Sequence, residues 1–203
     1  MKSHFLKALE SLEKQAQEKP IKLKEVLQTL GDSSHLVIIL FLAFPFLQPI
    51  PLPGLSTVFG LTMVAIALLN FFGKPIRLPT RFNEKVLSQA LIINTLRAAE
   101  KVWYFLKKFL KVRGSIFFET RFFKGFNTLV LCAQALLLCL PIPVPFTNNI
   151  PAVIIAINVI GELEEDGYVV FVSYILSAIS FTFFIGLSLG AVFGWDFIQL
   201  QKN

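Results

Sequence analysis

Charge is what this sequence is shortest of. Only 16% of its 203 residues are Asp, Glu, Lys or Arg, whereas 55% are hydrophobic and the mean hydropathy is +0.68. A soluble domain carries charge on about a quarter of its residues. A chain this apolar is expected to bury its surface in lipid. Histidine and cysteine are equally sparse, with two of each. His4 and His35 have no Cys or His at ligand spacing, and Cys132 and Cys139 sit within one apolar run, where small apolar filler is their ordinary role. Neither a metal nor a cofactor is expected. Also missing are a nucleophile elbow, a phosphate-cradling Gly loop, zinc spacing and paired carboxylates inside an apolar run. No enzyme signature emerges. Lipid-active enzymes can lack such motifs, so the absence leaves the question of a reaction open.

The charge that is present is unevenly placed. Six of the 19 Lys and Arg precede Ser33, and twelve fall between Lys74 and Lys124, against Glu84, Glu100 and Glu119 only. Positive charge flanking apolar runs predicts a cytoplasmic side for residues 1–33 and 74–125. The basic stretch also carries Val86, Leu87, Leu91, Leu96, Val102, Trp103, Leu106 and Leu110. It reads either as amphipathic helix on an anionic leaflet or as cytosolic helix obeying the same charge rule. Nucleic acid is a poor partner for it, because membrane segments adjoin it on both sides.

Residues 1–33 are mixed in charge and helical in period, unlike a signal peptide, so the first apolar run is expected to stay as an anchor. Leu23, Val26, Leu27 and Leu30 follow the i, i+3, i+4, i+7 pattern, and Gly31 is a natural stop. The chain then divides into a first hairpin (34–73), the basic segment (74–125), a second hairpin (126–167) and a last apolar segment (168–203). That last segment could span once with tilt or turn back near its glycines. The expected fold is all-α and polytopic: two Pro-broken membrane hairpins with amphipathic helices at the interface.

The breaks themselves match. Pro49-Ile50-Pro51-Leu52-Pro53 and Pro141-Ile142-Pro143-Val144-Pro145 align at an offset of 92, each between two apolar runs, with little identity beyond them. Three prolines at alternate positions cannot continue a helix. Their extended backbone leaves carbonyls without internal partners, which is tolerated at membrane depth only when buried in protein or facing water. Each break is therefore an interfacial turn or the tip of a re-entrant hairpin. Paired broken helices in repeated units are the sequence pointer to a transporter-like site; ordinary hairpins with proline turns fit the same residues.

The candidate substrate-binding residues cluster near the breaks: Pro51, Pro53, Gly54, Ser56, Thr57 and Asn70 in the first unit, Pro143, Pro145, Asn148, Asn149, Asn158 and Asp166 in the second. Asn148 and Asn149 suit helix capping, or a helix start whose N–H groups hold a phosphate. Asn70 and Asn158, like Gln48 and Gln134, suit hydrogen bonds between helices, modest at about 0.6 kcal/mol each. Glu162, Glu164, Glu165 and Asp166 form a solvated helix end or supply a proton-coupling carboxylate. Ala178, Thr182, Gly186, Gly190 and Gly194 make a small-residue stripe for packing within the bundle or in a homo-oligomer.

Leu30-Gly31, the first break, Gly54-Leu55-Ser56-Thr57-Val58-Phe59-Gly60, Gly73-Lys74 and Leu78-Pro79 together resemble the ExoD family. Pro141-Ile142-Pro143, Asn149, Pro151-Ala152 and Asp166-Gly167 continue the likeness, which covers roughly residues 20–190. Members often carry Arg soon after the first Leu-Gly, where this chain has Ser34 and His35. The resemblance implies a multi-pass bacterial inner-membrane protein linked to exopolysaccharide synthesis. The expected activity is binding or moving an anionic amphipath such as a lipid-linked saccharide or polyprenyl phosphate. The alternative is a non-catalytic scaffold in an envelope polysaccharide assembly machine. Expected partners are membrane lipids, anionic headgroups at the basic segment, and a second copy or polysaccharide-assembly proteins.

Overall fold

The computed structural model describes residues 10–15, 23–31, 33–47, 54–76, 110, 120–140 and 147–200, with side chains considered to residue 190. Among these residues the structure is all-α. Residues 10–15 are helical, followed by α1 (Leu23–Leu30), α2 (Ser33–Ala43), α3 (Leu55–Phe71), α4 (Arg121–Leu138), α5 (Asn149–Leu163) and α6 (Gly167–Leu200), and a 3-10 turn, Phe44–Leu47, extends α2. Both proline breaks and residues 77–109 and 111–119 of the basic segment lie outside the described residues.

Local chemistry explains most boundaries. α1 stops where expected: Gly31 takes φ 53° and its N–H returns to Leu27 O at 3.1 Å. Pro151 sits in the first turn of α5, where its missing N–H would have had no partner in the helix. The final apolar stretch does not turn back at its glycines; it is one continuous helix. α4 begins five residues before the apolar run at Phe126, with Lys124 N–H donating to Thr120 O at 3.1 Å, although the charges of Arg121 and Lys124 oppose the dipole at that end. Hydropathy marked the apolar stretch and missed that turn.

α2 and α3 pack on each other, as do α4 and α5, and across the two pairs α2 lies on α5 and α3 on α4. The four helices thus form a ring. α6 covers α5 and touches α4, and α1 lies on α2. Leu12 and Leu30 are buried in the same core as the hairpin residues, so the N-terminal helices dock on the bundle.

Corresponding places in this ring are held by residues 92 apart. Ile39 and Leu131, Ala43 and Ala135, Phe46 and Leu138, Met63 and Ile155, and Ala67 and Val159 are all buried in one core. The helix ends agree bond for bond. Gly73 N–H donates to Asn70 O (3.1 Å) and Lys74 N–H to Leu69 O (2.9 Å) after α3; Glu165 N–H donates to Glu162 O (3.2 Å) and Asp166 N–H to Gly161 O (2.8 Å) after α5. Each is a Schellman motif, which needs its second-last residue in the left-handed region. Gly73 meets that at φ 62°, and Glu165 meets it at φ 54° without glycine's freedom.

Where α3 crosses α4 the backbones come close. A Cβ added at Gly60 would lie 2.6 Å from Ala135 O and collide with Cys139 Sγ. Gly60→Val is expected to lower stability by about 1–3 kcal/mol through overpacking, read as a lower melting temperature in detergent. Gly186→Val should leave it unchanged, because nothing lies within 4 Å of that position. Glu165→Gly should raise the melting temperature, since a left-handed L-residue costs roughly 1–2 kcal/mol.

Candidate functional site

The expected site residues fall at two ends of the ring. At the end near the breaks, Gly54 opens α3 with φ 81° and is exposed, while Ser56 is buried. Asn148 holds the N-cap position of α5 without a side-chain hydrogen bond to the helix. Its neighbour reaches across: Asn149 Nδ2 donates to Phe46 O (3.1 Å) and Leu47 O (2.8 Å), carbonyls that end the first leg of the first hairpin. The reverse tie comes from Thr57, whose hydroxyl donates to Cys139 O at 3.4 Å. Thr57 stands 92 before Asn149, and Cys139 stands 92 after Leu47. The start of each second leg therefore clasps the end of the other unit's first leg. This brings the residues flanking the two breaks together. Pro51, Pro53, Pro143 and Pro145 are outside the described residues.

The opposite end holds a polar cluster that the sequence did not make obvious. Asn158, fully buried, donates through Nδ2 to Asn127 Oδ1 (2.7 Å) and Ser173 Oγ (2.8 Å). Asn127 Nδ2 donates to Glu162 Oε2 at 2.6 Å, and the Tyr174 hydroxyl donates to Asn127 Oδ1 at 3.1 Å. Three helices, α4, α5 and α6, meet through these groups. Deeper along α6, Ser180 donates to Oε1 of the fully buried Gln134 at 3.4 Å, and Gln134 Nε2 has no partner. A signal existed in Ser173, Ser177 and Ser180, which recur at helical spacing on the buried face of α6.

Asp166 has a plainer role. Its Oδ1 accepts from Tyr168 N–H (3.1 Å) and Val169 N–H (3.4 Å), and its carbonyl accepts the first bond of α6 from Val170 N–H (3.1 Å). It caps α6, where a carboxylate also suits the helix dipole. The acidic cluster that ends α5 therefore also precedes the next helix. Asn70 lies half-buried near the end of α3, apart from this cluster. At the corresponding end of the first hairpin, His35 Nε2 bonds Lys74 O at 2.9 Å, and a carbonyl only accepts, so Nε2 carries the hydrogen.

Ala178, Thr182, Gly186 and Gly190 are exposed, and the face of α6 that packs is instead Val170, Ser173, Ser177, Ser180 and Phe184. Gly194 lies in α6 beyond the considered side chains. Residues Gly167–Gly190 form a helix long and apolar enough to cross a membrane, and only 28% of its most apolar window is buried in the protein, unlike the core helix of a soluble domain. No group of His, Cys, Asp and Glu suited to a metal occurs among the described residues.

The model of the family described as "Exopolysaccharide synthesis, ExoD" matches residues 5–186. The chain belongs to the ExoD family. It is similar to Protein ExoD of Rhizobium meliloti, 27% identical over 172 residues, covering 84% of this chain and 72% of that one. An uncharacterized protein of Synechocystis sp. is 25% identical over 160 residues, covering 78% and 74%. No solved structure matches significantly. The match runs across both hairpins and into α6, so the clasp and the polar cluster both lie in the part of the chain that makes it an ExoD protein.

Replacing Asn158 by Leu would strip Asn127 and Ser173 of a buried donor. The variant is expected to lose about 1–3 kcal/mol, measured as a lower melting temperature of the detergent-solubilised protein.

Proposed function

We propose that this ExoD protein is a multi-pass protein of the bacterial inner membrane whose two hairpins are duplicated, re-entrant units. Between their tips they bind an anionic amphipath, a lipid-linked saccharide or polyprenyl phosphate, and carry it toward the opposite leaflet. The observation that carries this reading is the reciprocal clasp of Asn149 on Leu47 O and Thr57 on Cys139 O. It draws the residues that flank the two proline breaks toward one another, as a site at a repeat interface requires.

Length supports the re-entrant part. Ser33–Leu47 and Asn149–Leu163 have 15 residues each, Leu55–Phe71 has 17 and Arg121–Leu138 has 18. At 1.5 Å per residue these legs rise roughly 22–27 Å, short of a hydrocarbon core about 30 Å thick. With the basic segments on the cytoplasmic face, the tips end within the membrane. The matched caps and core positions at the 92-residue offset support duplication. The charged residues between Lys74 and Lys124 would gather anionic headgroups at the entry side. A link to exopolysaccharide synthesis follows the family description.

One observation favours the scaffold reading as a second. Ala178, Ile179, Thr182, Phe183, Gly186 and Leu187 line an open groove on the outer face of α6, where another helix could lie. Gly186→Leu with Gly190→Leu would then release a co-purifying partner without altering lipid binding.

Single cysteines at positions 51 and 143, in a chain lacking Cys132 and Cys139, test the first reading. A membrane-impermeant maleimide should label both slowly from either side of the membrane, and polyprenyl phosphate should slow labelling further. Rapid labelling of both from the non-cytoplasmic face would make the breaks interfacial turns and end the proposal.

A further inference from the structure

The cluster at the end opposite the tips has a donor shortage. Both Nδ2 hydrogens of Asn158 are engaged, on Asn127 and Ser173. The Ser173 hydroxyl donates to Val170 O at 2.6 Å, and the Tyr174 hydroxyl to Asn127. Asn158 Oδ1 is left without a hydrogen bond in a fully buried side chain. A buried acceptor in that state has lost its hydrogen bond to water and gained none in return. Glu162 follows Asn158 by four residues on α5, hence on the same helical face. An ionised carboxylate only accepts and cannot relieve Asn158. A protonated one brings an O–H donor.

We propose that Glu162, Asn127, Asn158 and Ser173 form a reversible proton-binding site. Glu162 takes a proton from water, and the new O–H serves the amide cluster that joins α4, α5 and α6. The step forms one O–H bond and returns the proton to water on release, so no electron transfer or co-reactant enters. The Asn127 contact on Oε2 is compatible with both states, because a carboxylic acid keeps an accepting oxygen. Protonation then adds a hydrogen bond to the junction, and ionisation places a charge beside unpaired Asn158 Oδ1. The site needs no lipid substrate and stands whether or not the hairpins carry one.

The surroundings set where this exchange falls. Burial pushes the Glu162 carboxyl up to about 7, opposed by the positive charge of Lys124 and by the Asn127 hydrogen bond. Among the described side chains, the other charged or titratable groups on elements against α5 are Arg121 and Cys132 on α4, Tyr168 and Tyr174 on α6 and His35 on α2, with Glu164, Glu165 and Asp166 beyond its end. Between the ordinary carboxyl value of 4.5 and about 7 the folded protein holds a proton that the unfolded chain has released. Stability attributable to Glu162 therefore falls as pH rises through that window.

Infrared difference titration of the full chain in detergent, from about pH 5 to about pH 9, tests the site. One carboxyl band should disappear with a midpoint near 7 and be absent from Glu162→Gln, whose stability should also lose its slope below that midpoint. Asn127→Leu removes a bond that favours the ionised form, so its midpoint should move upward. A cluster in which Glu162 exchanges no proton in this range would show no midpoint to shift. Absence of any carboxyl titrating near neutrality in the wild type would overturn the proposal, as would persistence of the band in Glu162→Gln.

Discussion

A chain with so little charge must satisfy its backbone from within, and helix ends are where that is hardest. Each α-helix leaves four N–H and four C=O groups without partners in the helix. In this protein those groups recruit specific residues. The ends of α3 and α5 close on themselves through Schellman bonds, and Asp166 supplies an acceptor at the start of α6. At the broken ends, Asn149 and Thr57 answer the carbonyls of Leu47 and Cys139 on the other hairpin. Demand for hydrogen bonds thereby turns into tertiary structure, because the partner with a free donor lies across the ring.

This demand explains which parts of the fold were legible. Gly31 and Gly73 mark stops because positive φ is cheap for glycine, and the apolar run from Leu55 to Phe72 gives α3 almost residue for residue. Glu165 gives no such warning. It enters the left-handed region because the cap of α5 requires it, and only the structure reveals the requirement. Asn127 was hidden for another reason. A lone amide near the start of an apolar run has no visible purpose until α5 and α6 bring Asn158, Glu162 and Tyr174 to it.

The scarcity of identity between the halves has a physical reading too. A packed interior asks for apolar volume, so Met63 can stand where Ile155 does, and Phe46 where Leu138 does. Backbone breaks ask for proline itself, since no other side chain removes the N–H and fixes φ. Identity survives at the breaks, and only similarity survives in the core. Two units that began alike would arrive at this pattern, which is why the reading of duplication leans on caps and burial more than on matched letters.

The halves differ most at the end away from the breaks, and the difference follows α6. Where the first hairpin has His35, Asn70 and Lys74, the second has Asn127, Glu162 and Asp166. Asp166 caps the helix that starts after it, and the fully buried Asn158 amide is held because Ser173 and Asn127 receive its hydrogens. Its counterpart in the first hairpin is Ile66, apolar and buried. The covering helix thus creates the conditions under which a carboxyl can sit beside the core without a salt bridge. An acid placed at Asn70 would face no counterpart of Asn158, because Ile66 stands there. The clasp beside the breaks, by contrast, uses both hairpins alike, Asn149 reaching Leu47 O and Thr57 reaching Cys139 O.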